Sequence, residues 1–240
     1  MKVFLVVPRA LSPRQTYFEY PLGVGLIATA LRRRGHEVAI YDQNAEGADE
    51  DLLFGRLRQF RPEVAGFSVI TPSYPVARRH IGRLRSECPG VRVVAGGVHA
   101  NLFPEDLLAD GVDVVVLGQG QHVMPALVDC LDDNESWRNL PGLVFRDRRG
   151  DLVRTACDAG SPLVEDVDMV DRDVYNLPLY SHHSMFASLG CPFHCMFCCN
   201  YSGTVLHASG TASQGGVSVR PTGRRPRTSM SIPRRSVRSR

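Results

Sequence analysis

Four of the chain's seven cysteines fall within nine residues, in the run Gly190-Cys191-Pro192-Phe193-His194-Cys195-Met196-Phe197-Cys198-Cys199. The spacing C-x3-C-x2-C offers three thiolates from one tight loop. Structural zinc usually takes paired C-x2-C knuckles or added histidines and closes a fourth position. Three thiolates on a four-iron cluster instead leave one iron open to an exogenous ligand, whereas a simple electron carrier is closed by four. Cys199 adjoins Cys198, so one loop would struggle to bring both to the same cluster. It reads as a small hydrophobe, as do Cys88, Cys130 and Cys157.

A second set of residues lies upstream, in loops that each follow a short apolar run. These are Thr71-Pro72-Ser73-Tyr74, Gly96-Gly97-Val98-His99-Ala100-Asn101 and Gly118-Gln119-Gly120-Gln121, together with the long segment Pro8 to Pro21, which carries Tyr17, Phe18, Glu19 and Tyr20. Glycines in such loops let backbone amides approach a ligand with no Cβ in the way. Plain strand-to-helix turn chemistry is the competing reading for any one of them. Four together favour a large flat ligand.

The elements that must position these loops alternate regularly. Strands are predicted over Val3–Val7, Val38–Tyr41, Val64–Ile70, Val91–Ala95 and Val114–Leu117, rich in Val and Ile and largely unalternating, as strands buried on both faces should be. Helices are predicted near 23–34, 49–60, 75–87, 104–110 and 121–132. Gly35 follows the cationic turn Arg32-Arg33-Arg34 as a C-terminal cap, and Pro62, Pro89 and Gly90 mark other helix exits. Five β-α units in a row predict an α/β, doubly wound, flavodoxin-like sheet of five parallel strands with helices on both faces. Ligands of such sheets bind at the carboxyl ends of the strands, where the four loops gather.

Gly23-Val24-Gly25-Leu26-Ile27-Ala28, with Asp42 nineteen residues beyond Gly23, imitates a dinucleotide fingerprint. The mechanism requires the first glycine directly after strand one, and fifteen residues separate Val7 from Gly23. These glycines therefore read as aids to close packing of the helix on the sheet. Downstream, 143–155 reads as a β-hairpin appended between domains, and 158–185 as an ordered linker draped over a neighbour. His182-His183 reads as a solvated pair within that linker.

Cys191, Cys195 and Cys198, with aromatic Phe197 before the third, match C-x3-C-x-(aromatic)-C, and on these residues the chain resembles the radical S-adenosylmethionine proteins. The first 130 residues resemble the cobalamin-binding domain that precedes this signature in the B12-dependent branch. There Pro21-Leu22-Gly23, Gly96-Gly97-Val98-His99 and Gly118-Gln119-Gly120-Gln121 stand at the recurring P-L-G, G-G-x-H and G-E-G-E segments. The resemblance implies that the three cysteines hold a [4Fe–4S] cluster that binds S-adenosylmethionine, with Phe197 near its adenine. It implies a cobalamin site drawing on Pro21, Leu22, Gly23, Thr71, Ser73, Gly96, Gly97, His99, Gly118, Gln119, Gly120 and Gln121. It further implies a methyltransferase acting on a small molecule with an external electron donor. Gln119 and Gln121 replace the family's two glutamates, keeping hydrogen bonding without charge. The chain has no D-x-H-x-x-G segment, so a lower cobalt ligand from that loop is not supplied.

Charge divides the chain. Residues 1–200 hold all 25 acids and 20 bases, for −5, whereas residues 201–240 hold eight arginines and no acid, for +8. In that tail Ser, Arg, Gly, Thr and Pro make up 28 of 40 residues, a composition that cannot bury enough apolar surface to fold. Without interleaved aromatic residues it lacks stacking platforms for nucleic acid, and a frameshifted or truncated reading frame is the favoured account. The expected organisation is a cobalamin-binding-like domain over 1–135, hairpin and linker over 136–185, the start of an incomplete radical S-adenosylmethionine barrel over 186–200, and the tail. On this expectation the chain alone is inactive. No apolar run approaches the ~20 residues of a membrane span, and a cytoplasmic protein without membrane partners is expected. A non-enzymatic corrinoid-binding module, and a metal-binding protein with a basic nucleic-acid-binding tail, are the alternatives.

Overall fold

The computed structural model describes residues 1–10, 19–131, 135–156, 169–182 and 184–185. The five predicted strands form as β1 (Lys2–Val7), β2 (Glu37–Asp42), β3 (Val64–Ser68), β4 (Arg92–Gly96) and β5 (Val114–Val116). They pair in parallel in the order β2-β1-β3-β4-β5. Their β-branched residues point to both faces, and Val3, Val6, Val64, Val93, Val114 and Val115 are wholly buried.

Helices cover each face. On one side pack α1 (Leu22–Arg33) and, from the far end, α7 (Gly120–Cys130), burying Val24, Ala28, Leu31, Met124, Leu127 and Val128 against the sheet. On the other lie α3 (Glu50–Phe60), α4 (Tyr74–Glu87) and α6 (Pro104–Ala109), which contribute Leu53, Leu57, Ile81, Leu84 and Leu107. Each such side chain contributes roughly 1.5–3 kcal/mol on leaving water. Short helices α2 (Gln43–Glu46) and α5 (Val98–Leu102) follow β2 and β4 directly. Cys88 and Cys130 pack against opposite cores, in keeping with their reading as small hydrophobes.

Helix ends obey local chemistry. Gly35 adopts φ +83° and donates to the Arg32 carbonyl, and His36 donates to that of Leu31. These two bonds form the Schellman closure that its sequence position suggests. Asp49 caps α3 by accepting from the Asp51 amide. Pro125, inside α7, withholds a donor from the Gln121 carbonyl in the first turn.

The sheet is wider than expected. The hairpin, β6 (Leu143–Arg146) and β7 (Leu152–Arg154), is not an appendage but extends the sheet antiparallel beyond β5, giving seven strands. Its composition carries the reason. Leu143, Val144 and Phe145 are three consecutive apolar residues that a free hairpin could not bury, and β5 offers an open edge. β3 also ends at Ser68, two residues early, because Val69 turns to hydrogen-bond the end of β4. Residues 169–182 pass back over α1 and β2, and Tyr175 and Tyr180 are buried there with Tyr20. No helix among the described residues is long and apolar enough to cross a membrane.

Candidate functional site

The strand order reverses direction between β1 and β3, the switch point at whose carboxyl ends sheets of this kind bind ligands. The chain leaving β1 is pinned there. Gln43 Oε1 accepts from the Arg9 amide at 3.2 Å and Asn44 Oδ1 from the Ala10 amide at 3.1 Å. Asp42 caps α2 by accepting from the Asn44 amide, and its other oxygen accepts from the Tyr180 hydroxyl at 3.1 Å. Burial raises its pKa, opposed by the hydrogen bonds from Asn44 and Tyr180. The acid that imitated a ribose ligand is thus committed to internal bonds.

The loops after β3 and β4 are fastened together. Val69 donates to the Gly96 carbonyl at 2.8 Å, and His99 donates to the Val69 carbonyl at 3.0 Å. Gly97 makes this possible: its φ is +98°, and a Cβ would stand 2.6 Å from the Val69 oxygen. Asn101 reaches both ways, donating from Nδ2 to the Gly97 carbonyl at 3.1 Å and accepting from the Gly118 amide at 2.7 Å. Three strands' loops therefore form one hydrogen-bonded rim.

His99 sits in the middle of it, 3% exposed. Its ring stacks on Tyr74 with centroids 4.2 Å apart and lies 5.2 Å from Phe103. The Tyr74 hydroxyl donates to Asp110 at 2.6 Å, which fixes the stacking partner, and burial with that carboxylate pushes the Tyr74 pKa up to about 12. Nδ1 lies 3.4 Å from Thr71 Oγ1, while buried Nε2 has no hydrogen-bond partner among the described residues. Burial lowers the His99 pKa against the pull of Asp106 and Asp110, favouring the neutral ring. Leaving a buried nitrogen unpaired is costly. Ile70, Leu102 and Phe103 flank the histidine with exposed apolar surface.

At β5 the Gly118 turn has φ +67°, and Gln121 Nε2 donates to Gln119 Oε1 at 2.9 Å. Gly120 admits Ile27 of α1, whose Cδ1 lies 3.0 Å from where a Cβ would be. This brings α1 close to the first turn of α7.

The structure gathers Thr71, Gly96, Gly97, His99 and Gly118 on this rim, with Gln119, Gly120 and Gln121 following it and Pro21, Leu22 and Gly23 at the start of α1. Ser73 differs: fully buried, its hydroxyl exchanges bonds with the Ile70 amide and carbonyl and closes a turn. Gly25 departs from the packing expected of it, since a Cβ there would meet Val170 and Tyr175 at 2.8 and 2.9 Å rather than the sheet, while Gly23 has open space. Tyr74 and Asn101 stand in loops that the sequence singles out, but the Tyr74–Asp110 bond and the two bonds of Asn101 across the rim were not legible there. Cys191, Cys195, Phe197 and Cys198, and the tail 201–240, lie outside the described residues.

Comparison with known proteins bears on the domain and its fold. Residues 14–128 match the B12 binding domain family. The chain is 30% identical over 193 residues to the anaerobic magnesium-protoporphyrin IX monomethyl ester cyclase of Cereibacter sphaeroides, covering 74% of this chain and 31% of that one. The radical S-adenosylmethionine methyltransferase TsrM of Kitasatospora setae superposes with TM-score 0.55 at 24% identity, covering 65% of this chain and 30% of its own. The cobalamin-dependent S-adenosylmethionine radical enzyme OxsB superposes with TM-score 0.59 at 17% identity, covering 65% and 22%. The chain spans about a third or less of the length of each, and the two structures speak for the fold. Residues 14–128 thus belong to the B12 binding domain family.

Proposed function

We propose that the rim binds cobalamin and that the chain is the N-terminal part of a cobalamin-dependent radical S-adenosylmethionine enzyme, with methyl transfer to a small molecule as the reaction. The observation that carries this is the neutral, buried His99 with its unpaired Nε2, set among fastened glycine loops and exposed apolar side chains at the carboxyl ends of β3, β4 and β5. A corrinoid offers what such a rim lacks: a broad apolar face with peripheral amides that can pair with a buried nitrogen.

Within this proposal His99 and Thr71 orient the cofactor's polar periphery. Gly96 and Gly97 keep the rim low enough for a flat ring. Gln119 and Gln121 bond without charge, and Pro21, Leu22 and Gly23 form the opposite wall. Ile70 and Leu102 exclude water from the apolar face. Cys191, Cys195 and Cys198 would hold a [4Fe–4S] cluster, and Phe197 would serve the adenine of S-adenosylmethionine. When bound, cobalamin supplies a transferable methyl group and the cluster the electron that activates S-adenosylmethionine. An external electron donor is then required, and such an oxygen-sensitive centre suits the cytoplasm.

Titrating hydroxocobalamin with the full chain tests the cobalamin half. A saturable change in the visible spectrum at micromolar concentrations, lost in His99→Ala with Gly97→Ala, is expected. An unchanged spectrum overturns the reading.

A further inference from the structure

Three tyrosines tie residues 169–185 to the same edge, and the cobalamin reading uses none of them. The Tyr175 hydroxyl donates to the Pro21 carbonyl at 2.6 Å, at the head of α1. The Tyr20 hydroxyl donates to the Ser184 carbonyl at 2.6 Å, seven residues before Cys191. Tyr180 donates to Asp42, which caps the element after β2. The rings pack on one another with centroids 5.0 to 6.0 Å apart. The Asp171 amide donates to Thr29 Oγ1 at 2.9 Å, and Glu19 and His182 form an isolated parallel bridge. Gly25 leaves room for Val170 and Tyr175.

Apolar packing alone would hold a segment down, but it would not fix its register. Directed bonds to backbone carbonyls at Pro21 and Ser184 fix positions whatever the side chains there. We infer that Tyr175, Tyr20 and Tyr180 are positioning residues. They lock the Pro21-Leu22-Gly23 turn and the end of β2 to residues 169–182 and 184–185. This rests on the cobalamin reading of that turn. If the docked segment holds the turn in its binding form, bound cofactor must in return hold the segment down, because coupling between two equilibria is reciprocal.

The test follows hydrogen exchange of the full chain over 169–185, with and without hydroxocobalamin, beside visible titrations of the unaltered chain, Tyr175→Phe and Gly25→Ala. Tyr175→Phe removes one hydroxyl and keeps the ring. Gly25→Ala favours the helix by propensity but collides with Val170 and Tyr175, so it undocks the segment without weakening α1. Cofactor is expected to slow exchange across 169–185. Both variants should bind it about fivefold more weakly, the equivalent of one hydrogen bond, and lose that slowing. Unchanged affinity in both variants despite faster exchange overturns the inference, as does exchange indifferent to bound cofactor. Absence of binding by the unaltered chain overturns the cobalamin reading and this inference together.

Discussion

At the scale of single residues, adjacent glycines carry different duties. Gly97 has φ +98° and a backbone oxygen 2.6 Å from any Cβ, whereas at Gly96 the nearest atom would lie at 3.5 Å. Gly97→Ala should therefore cost about 2–5 kcal/mol from strain and overpacking, and Gly96→Ala no more than about 1 kcal/mol. Urea midpoints of the two variants check this, and equal losses would contradict the loop geometry. His80 sets a pH dependence. It is wholly buried, and Nε2 meets Gln43 Oε1 at 2.8 Å. Burial lowers its pKa below the ordinary 6.5, opposed by Glu50 and aided by Arg79 and Arg83. The unfolded chain takes the proton near pH 6.5 and the folded chain only lower. Stability is therefore full above 6.5, falls as pH drops through that window, and levels off below the folded value. Urea melts between about pH 7.5 and about pH 5 should show this loss, shallower in His80→Gln; parallel profiles would exclude His80 as the cause.

Among elements, the hairpin is the sharpest case. If β6 were part of an appendage, truncating it would leave the sheet untouched. Phe145 is instead 2% exposed and meets Trp137 edge-on at 4.9 Å. Phe145→Ala should cost about 3–5 kcal/mol, while Leu152→Ala on the half-exposed outer strand should cost under about 1 kcal/mol. Thermal denaturation of the two variants distinguishes an integral strand from an appendage. The hairpin itself was legible because Arg146 to Asp151 separates two apolar runs. Its docking was not, because edge pairing depends on which strand the fold leaves open.

At the scale of the whole molecule, the proposed cluster ligands and the proposed cobalamin rim can be tested apart. Cys191→Ala, Cys195→Ala or Cys198→Ala should each abolish iron and sulfide incorporation on anaerobic reconstitution, because three thiolates are the minimum that hold one cube. Cys199→Ala should retain it, and all four variants should bind hydroxocobalamin as the unaltered chain does. Iron retained in the triple variant would remove the ligand assignment.

What the sequence determined by itself is what depends on neighbours along the chain. The apolar runs, Gly35 after three arginines, Asp49 before α3 and the C-x3-C-x2-C spacing are each set within a few residues, and so the five parallel strands and the B12-binding kinship were readable. Chain separation hid the rest. Ser73 looked like a ligand until its hydroxyl proved to close its own turn, and Gly25 looked like a sheet contact until Tyr175, 150 positions away, occupied the space. Which nitrogen stays unpaired, which tyrosine reaches which carbonyl and which edge the hairpin covers are decided by contacts between distant segments. Only close packing in three dimensions fixes those contacts, because each partner's surroundings exist only once the other has arrived.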